Sequence, residues 1–167
     1  MSAVPSSPPA DTRRPRLFPQ LAFAPMQVED LAEVMTIEND VYPYPWSHGN
    51  FLDSLYSGYE MRTARLPSGQ LAGYFLLMLS VDEGHLLNIT VRRELQGKGV
   101  GRQMLDHVSA LARERAMQSI LLEVRPSNDH AVMVYEHYGF AGIGVRKGYY
   151  PAGDNRREDA IVMRLSL

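Results

Sequence analysis

An apolar strand, a tight glycine loop and the start of a helix follow one another in residues 86–104, and this run constrains the fold more than any other part of the chain. The loop has glycine at positions 97, 99 and 101. Glycine can adopt positive φ and has no Cβ, so successive backbone N–H groups can turn toward one spot at the helix N-terminus, where the helix dipole also favours an anion. Basic residues crowd the loop, at positions 92, 93, 98 and 102. The run therefore predicts a phosphate-binding loop.

Two familiar nucleotide-binding loops do not fit this run. A P-loop needs Ser or Thr after a Gly-Lys pair, whereas Gly99 follows Gly97-Lys98 here. A dinucleotide fingerprint counted from Gly97 and Gly99 would place Arg102 at its third glycine. What remains is Q-x-x-G-x-G at the start of a helix, which resembles the pyrophosphate-binding signature of the acyl-CoA N-acyltransferases of the GNAT superfamily. Taken alone, the loop fits an ordinary strand-to-helix turn about as well as a ligand site.

The composition is that of an ordinary globular protein. The chain has 167 residues, of which 45% are apolar and 22% charged, and its formal net charge is −2. A small negative charge gives no argument for binding nucleic acid or an anionic membrane, and no apolar run approaches the roughly 20 residues that span a bilayer. We therefore expect one compact domain at residues 19–167, with neither nucleic acid nor membrane as a partner. Residues 1–18 are rich in Pro, Ser and Ala and predict a disordered tail.

The chain contains no cysteine. Disulfides, thiolate metal sites and a cysteine-borne acyl intermediate are therefore excluded, so an acyl group would pass directly from donor to acceptor or through a less usual nucleophile. The five histidines include no HxxxH or HExxH pair, and we expect no metal. A reducing compartment fits this composition; we expect a cytoplasmic monomer.

Alternating strand and helix patterns predict an α/β fold. The expected architecture is a mixed, mostly antiparallel sheet with parallel pairing at its centre and helices on both faces. The predicted strands are 21–26, 60–66, 71–80, the strand that enters the glycine loop, 120–124, 140–146 and 160–165, the last two joined by a long polar loop. The predicted helices are 29–39, one capped by Ser47, one from the glycine loop to about 115, and one ended by Gly139.

Two polar residues stand in this apolar framework. Glu123 lies at the end of a predicted strand and Tyr135 on the helix that follows. A glutamate at a strand end is usually solvated, and a tyrosine on the apolar face of a helix is usually part of the core. Each residue could instead face a crevice and take part in proton transfer.

A longer motif makes the comparison with a family specific. The run L-E-V-R-P-S-N-D-H-A-V-M-V-Y-E-H-Y-G-F at 122–140 closely resembles the RimI-type protein N-terminal acetyltransferases, whose pattern is L-E-V-R-x-x-N-x-x-A-x-x-x-Y-x-x-x-G-F. Four further segments extend the resemblance over all but the N-terminal tail: Y-P-W-S at 44–47, L-N-I-T-V at 87–91, Q-G-K-G-V-G-R at 96–102 and R-K-G-Y-Y-P at 146–151.

The resemblance implies the GNAT fold, acetyl-CoA as co-substrate and a role for each matching residue. Glu123 would be the general base and Tyr135 the general acid. The substrate would be a protein N-terminus, typically the N-terminal alanine of small-subunit ribosomal protein eighteen. Two positions depart from the pattern. Gly148 stands where the family often has Asn, and Pro126 stiffens the loop before Asn128. The family's remaining roles would fall on Ile89, Thr90, Val91, Gly97, Lys98, Gly99, Val100, Gly101, Arg102 and Asn128 for acetyl-CoA, and on Tyr44, Trp46, Tyr149 and Tyr150 for the peptide.

Elementary acid–base chemistry supports the same pair of residues. An α-amine with a pKa of about 8 is mostly protonated at neutral pH, so its attack on a thioester needs a proton acceptor. An ordinary glutamate, with a pKa of about 4.3, could serve if burial raised its pKa or if an ordered water relayed the proton. A tyrosine with a pKa of about 10 can protonate the leaving thiolate without ionising prematurely.

Two other functions compete with N-terminal acetylation. The same chemistry could act on a lysine side chain or a small polyamine, although the aromatic residues at 44, 46, 149 and 150 suit a short peptide better than a polycation. A non-catalytic acetyl-CoA-binding or interaction module would also keep the glycine loop. Such a module would be expected to lose Glu123 or Tyr135, and this chain keeps both.

Overall fold

The computed structural model describes residues 19–167, so the predicted tail at 1–18 lies outside the described residues. Its strands form one seven-stranded sheet in the order β1-β2-β3-β4-β5-β7-β6. Every neighbouring pair is antiparallel except β4 and β5. The strands are β1 (Ala22–Pro25), β2 (Glu60–Arg65), β3 (Leu71–Leu79), β4 (Glu83–Val91), β5 (Ser119–Val124), β6 (Ala141–Pro151) and β7 (Arg157–Ser166). This is the predicted mixed, mostly antiparallel sheet.

Helices cover both faces of the sheet, as the sequence predicts. Two apolar clusters, one on each face, fix them there. Val34 and Phe51 anchor the first two helices to one face, while Met104 and Val108 anchor the third to the other. None of the helices among residues 19–167 is long and apolar enough to span a membrane. The helices are α1 (Leu31–Val41), α2 (His48–Tyr56), α3 (Val100–Glu114) and α4 (Asp129–Tyr138).

Local signals in the sequence place the helix ends well. Ser47 caps α2 as predicted: its hydroxyl accepts a hydrogen bond from the backbone N–H of Asn50 at 3.1 Å, and the Asn50 side chain reaches back to the Ser47 backbone at 2.9 Å. Gly139 follows α4 with a φ of 122°, which ends the helix in a conformation that favours glycine. The 3-10 turn Val28–Asp30 leads into α1.

The prediction for the last two strands is wrong in extent. The sequence predicts 140–146 and 160–165 with a long polar loop between them, whereas β6 and β7 run on to Pro151 and back to Arg157. The pairing register shifts between Arg146 and Tyr150, and Gly148 there has a φ of 56°. Because this bulge breaks the alternation of the strand, the pattern looks like a loop in sequence. The extension places the Tyr149-Tyr150 pair on a strand.

The centre of the sheet opens where β4 and β5 part. Their parallel pairing covers only three residue pairs and ends at His85 and Leu121. Beyond them β4 continues to Val91 alongside β3 alone, and β5 continues alongside β7. One side of β4 around Ile89 therefore has no strand partner. A wedge-shaped gap forms between the carboxyl ends of the two central strands.

Candidate active site

The glycine loop lies at the mouth of this gap and ends in α3. Gly97 and Gly99 have φ values of 73° and 88°, and no atom lies within 4 Å of where a Cβ would be on either residue. Both residues are exposed, so their backbone groups can reach a ligand. The expectation of positive φ is wrong for Gly101, because α3 has already begun at Val100.

The rest of the predicted acetyl-CoA segment divides into exposed and buried parts. Lys98 and Arg102 are exposed, and Arg102 lies over the ring of Tyr138 with its guanidinium 5.2 Å from the ring centroid. The side chain of Val100 is fully buried in the core, which leaves only its backbone for a ligand. Asn128 caps α4, since its Oδ1 accepts a hydrogen bond from the backbone N–H of Ala131 at 3.2 Å.

A cleft of about 350 Å³ lies between α3 and α4. Its lining combines apolar side chains with the basic Arg102 from the first turn of α3. The lining residues are Arg102, Leu105, Met133, Val134, His137 and Tyr138.

Glu123 is buried on β5 beside the gap, with 6% of its side chain exposed. Its Oε2 lies 2.5 Å from Nε2 of His85 on β4, and its Oε1 lies 3.0 Å from Nε of Arg146 on β6. Burial raises the pKa of Glu123, but the hydrogen bond and charge of His85 and the charge of Arg146 outweigh it, so the net pKa lies below the ordinary value. The suggestion that burial makes Glu123 a stronger base is therefore wrong for this structure.

Tyr135 approaches the gap from the opposite face of the sheet. It is partly buried on α4, packed against the α3 side of the core, and its ring lies 5.7 Å from that of Phe140. Burial raises the pKa of Tyr135, and the nearby phenols of Tyr42 and Tyr150 raise it further. The hydroxyl is consequently protonated at neutral pH. The negative charge of Glu123 also raises the pKa of Tyr150. Tyr150 therefore lies near both predicted proton-transfer groups.

Tyr42 follows α1 and closes the base of the gap. Its hydroxyl donates to the backbone carbonyl of Ile89 at 3.3 Å and lies 2.8 Å from the hydroxyl of Thr90. Burial raises the pKa of Tyr42 to about 12. Two of the three β4 residues predicted to contact acetyl-CoA are thus held by a tyrosine from the opposite wall.

Arg125 joins the two predicted substrate walls. Its guanidinium lies 4.4 Å from the ring centroid of Tyr150 on β6 and 5.5 Å from that of Tyr44 in the α1–α2 loop. Tyr149 packs edge-on against Tyr150 at 4.9 Å. An ion pair with Glu158 at 3.1 Å fixes the arginine in place. The structure therefore brings three of the four predicted substrate residues to one cluster around Arg125.

Trp46, the fourth predicted substrate residue, is held by a different contact. Its backbone N–H donates to Oε1 of Glu38 at 2.9 Å, and its ring lies 5.4 Å from that of Phe51. Trp46 and Leu87 line a cleft of about 380 Å³ next to α2. The tryptophan thus forms a wall on the same side of the sheet as Glu123.

Sequence analysis did not single out four residues that hold the site together: Glu38, His85, Arg125 and Arg146. A signal existed for Glu38, since it follows the buried Val34 at a spacing of four and so lies on the apolar face of α1. Arg125 belongs to the L-E-V-R run. No pattern in the sequence marks His85 for proton transfer. Among residues 19–167, no three His, Asp or Glu side chains are grouped in a way that could hold a metal ion.

Residues 31–140 match the family profile described as "Acetyltransferase (GNAT) family". These residues include the gap, the glycine loop and α4. The chain belongs to this family. The [ribosomal protein bS18]-alanine N-acetyltransferase of Escherichia coli (strain K12) is 33% identical over 142 residues, which cover 85% of this chain and 95% of that protein. The protein of the same name from Haemophilus influenzae is 32% identical over 83% of this chain and 93% of its own length.

A solved structure agrees with these relatives. The crystal structure of the ribosomal-protein-S18-alanine N-acetyltransferase from Escherichia coli superposes with a TM-score of 0.80 at 31% identity, and the match covers 88% of this chain and 94% of that one. The resemblance to RimI-type acetyltransferases and the GNAT fold are both confirmed.

Proposed function

We propose that this protein transfers an acetyl group from acetyl-CoA directly to the α-amine of a protein N-terminus, with the N-terminal alanine of ribosomal protein bS18 as its substrate. One observation carries the proposal: the gap where β4 and β5 part after His85 and Leu121 has the glycine loop at its mouth and the buried carboxylate of Glu123 at its wall. The substrate named for the relatives from Escherichia coli and Haemophilus influenzae supports the choice of protein.

The chain offers acetyl-CoA a fitting site. Gly97 and Gly99 leave open space where a Cβ would be, and the N-terminus of α3 adds a favourable dipole for a diphosphate. Lys98 and Arg102 would add positive charge, and Asn128 would contact the cofactor near α4. Backbone N–H groups of residues 89–91 on the unpaired side of β4 would polarise the thioester carbonyl.

The peptide N-terminus would enter on the other face of the sheet. Tyr44 and Trp46 form one wall there, and Tyr149 and Tyr150 form the other. Aromatic rings with hydroxyl groups give a short peptide both apolar contact and hydrogen-bond donors. Glu123 lies near Tyr149 and Tyr150, because its negative charge raises the pKa of both phenols. The same charge would attract the α-ammonium group, whose proton would then be taken up at the Glu123 centre.

Proton transfer completes the reaction. The ammonium group loses one proton at the Glu123 centre, and the resulting amine attacks the thioester carbonyl. The C–S bond then breaks, and the phenol of Tyr135 protonates the departing sulfur while the second proton of the amine nitrogen restores the phenol. The raised pKa of Tyr135 keeps that phenol protonated until the bond breaks.

The test is acetyl transfer by the purified full chain to a panel of acceptors. We expect turnover on a peptide with a free N-terminal alanine and none on the same peptide with a blocked α-amine and a free lysine, nor on a small polyamine. Glu123→Gln and Tyr135→Phe should each lower kcat by about 10²-fold or more, the usual contribution of one acid–base group. Turnover only on lysine or polyamine would overturn the substrate class. Acetyl-CoA binding with no turnover on any amine would indicate a non-catalytic module.

A further inference from the structure

The imidazole of His85 is not used by the mechanism above, although it touches the carboxylate at its centre. His85 and Leu121 form the last residue pair before β4 and β5 part, so this histidine lies where the gap begins. Strand alternation places His85 and Glu123 on the same face of the sheet, and their side chains meet there at 2.5 Å. The contact joins two neighbouring strands at the point where the amine must lose its proton.

Hydrogen bonding fixes which nitrogen of His85 is free. An ionised carboxylate can only accept, so Nε2 donates to Glu123, and in the neutral ring Nδ1 carries the lone pair. Among residues 19–167, Nδ1 makes no hydrogen bond, and no buried side-chain polar atom lacks a partner there, so Nδ1 reaches solvent. The side chain of His85 is 19% exposed. A proton accepted by Nδ1 can thus leave to water.

The surroundings of Glu123 make it a weak proton acceptor by itself. Oε1 already accepts from Arg146 and Oε2 from His85, and these contacts favour the ionised carboxylate. The pKa of an ordinary imidazole, about 6.5, is much closer to that of an α-amine than the pKa of a carboxylate is. A carboxylate that holds an imidazole and stabilises its protonated form is a familiar arrangement for general-base catalysis.

We propose that the general base for the α-amine is the Glu123–His85 pair, in which Nδ1 of His85 takes the proton and Glu123 positions the ring and stabilises the imidazolium. The inference rests on the proposed function. The N–H bond of the ammonium breaks, the proton moves to Nδ1, directly or through one water, and the imidazolium later releases it to solvent. The pair changes from one negative charge to neutral, and no other reactant is required.

Other groups on this face set the field in which the pair works. Asp53 and Tyr59 lie beside α2, and Arg146, Tyr149 and Tyr150 lie on β6. Glu83 of β4 and Arg164 of β7 form an ion pair at 2.9 Å. Arg146 is the one of these in contact with Glu123. It holds the carboxylate on the side away from the imidazole.

The experiment measures kcat/KM from pH 6 to pH 10 on an alanine-starting peptide. His85→Gln and His85→Asn keep an amide donor for Glu123 but cannot take a proton at this pH. We expect a loss of about 10²-fold at pH 7 that shrinks above about pH 9, where the α-amine deprotonates in water. The double variant with Glu123→Gln should lose little more than either single variant, because the two residues act as one unit.

Controls separate this role from a structural one. His107 lies in α3, stacked on Phe23 at 4.0 Å, and His107→Gln should leave the pH profile unchanged. Thermal unfolding and CoA binding confirm that each variant is folded. A His85 variant that is active at pH 7 to within threefold, a loss that is constant across pH, or additive losses in the double variant would each overturn the inference alone. A wild-type chain that acetylates no peptide overturns the proposed function and this inference together.

Discussion

The carboxylate of Glu38 accepts a hydrogen bond from the backbone N–H of Trp46 at 2.9 Å, which ties the loop of this predicted substrate residue to α1. Glu38 is only 1% exposed. It also accepts from the hydroxyl of Tyr74 on β3 and from the side-chain amide of Asn88 on β4, the latter at 3.3 Å. One buried carboxylate therefore connects a helix, two strands and the loop that we expect to contact the peptide. Burial and this negative charge both raise the pKa of the Tyr74 hydroxyl.

Removal of the Glu38 carboxylate should destabilise the protein and loosen the loop around Trp46. Glu38→Ala leaves one buried and two partly buried donors without this acceptor, and we expect the free energy of unfolding to fall by about 3 kcal/mol. Urea unfolding measures the loss. Glu33→Ala is the matched control, because this helix neighbour has a 49% exposed side chain paired with Arg65, and such pairs contribute no more than about 1 kcal/mol. Equal stabilities of the two variants would contradict the prediction.

Arg125 should matter for the peptide and not for acetyl-CoA. Arg125→Lys keeps the charge but removes the planar group that lies over Tyr44 and Tyr150. Each cation–π contact at a partly exposed site is worth about 0.5–1 kcal/mol, so we expect the peptide KM to rise by about tenfold. Steady-state kinetics with each substrate varied in turn measure this. Arg62→Lys, the same exchange at an ion pair with Glu60 on β2, should change neither KM.

Signals local in sequence predict much of this fold. The Ser47 cap, the glycine after α4 and the positive φ of Gly97 and Gly99 each depend on residues within a few positions, and each is present in the structure. Strand and helix periodicity likewise places the two faces of the sheet. Local backbone chemistry decides these features, so a single sequence suffices to find them.

Contacts between distant segments are what the sequence does not predict. His85 and Glu123 are 38 positions apart, and Glu38 and Asn88 are 50 apart. Which side chains meet depends on the register of β4 against β5 and on how β7 inserts between β5 and β6. The net lowering of the pKa of Glu123 follows from the same placement, because it needs both His85 and Arg146 at the carboxylate. From the sequence alone, only the opposing effect of burial on this pKa can be expected.

The glycine loop can be tested with two glycines in the same conformation. Gly99 and Gly69 have φ values of 88° and 90°, and neither has an atom within 4 Å of where a Cβ would be, so alanine costs each site only backbone strain of about 1–2 kcal/mol. We expect equal losses of stability in Gly99→Ala and Gly69→Ala. Only Gly99→Ala should raise the KM for acetyl-CoA, because Gly69 lies in the β2–β3 turn. Equal KM values in the two variants would argue against a diphosphate at this loop.

Stability should depend on Glu123 at acid pH. The folded state lowers the pKa of Glu123 below its value of 4.5 in the unfolded chain, so the unfolded chain binds the proton more readily. The contribution of the carboxylate is therefore complete above about pH 5 and is lost as the pH falls through the folded pKa. Glu123→Gln should flatten the fall in unfolding free energy between pH 5 and pH 3 in urea titrations. Glu136→Gln, on the exposed face of α4, should leave the slope as in the wild type.

The bulge in β6 needs a left-handed residue at Gly148. Its φ is 56°, its backbone N–H donates to Asp159 at 2.8 Å, and a Cβ would meet only the Cβ of Arg157 at 3.8 Å. Space is thus sufficient, and alanine should cost about 1–2 kcal/mol from backbone strain alone. Asparagine tolerates this conformation better, so Gly148→Asn should lose less than Gly148→Ala in thermal unfolding. Gly153→Ala, in the adjoining turn where φ is not positive, should change stability by less than about 0.5 kcal/mol. If the Gly148→Ala and Gly148→Asn variants were equally stable, packing rather than φ would limit which residues are accepted at position 148, next to Tyr149 and Tyr150.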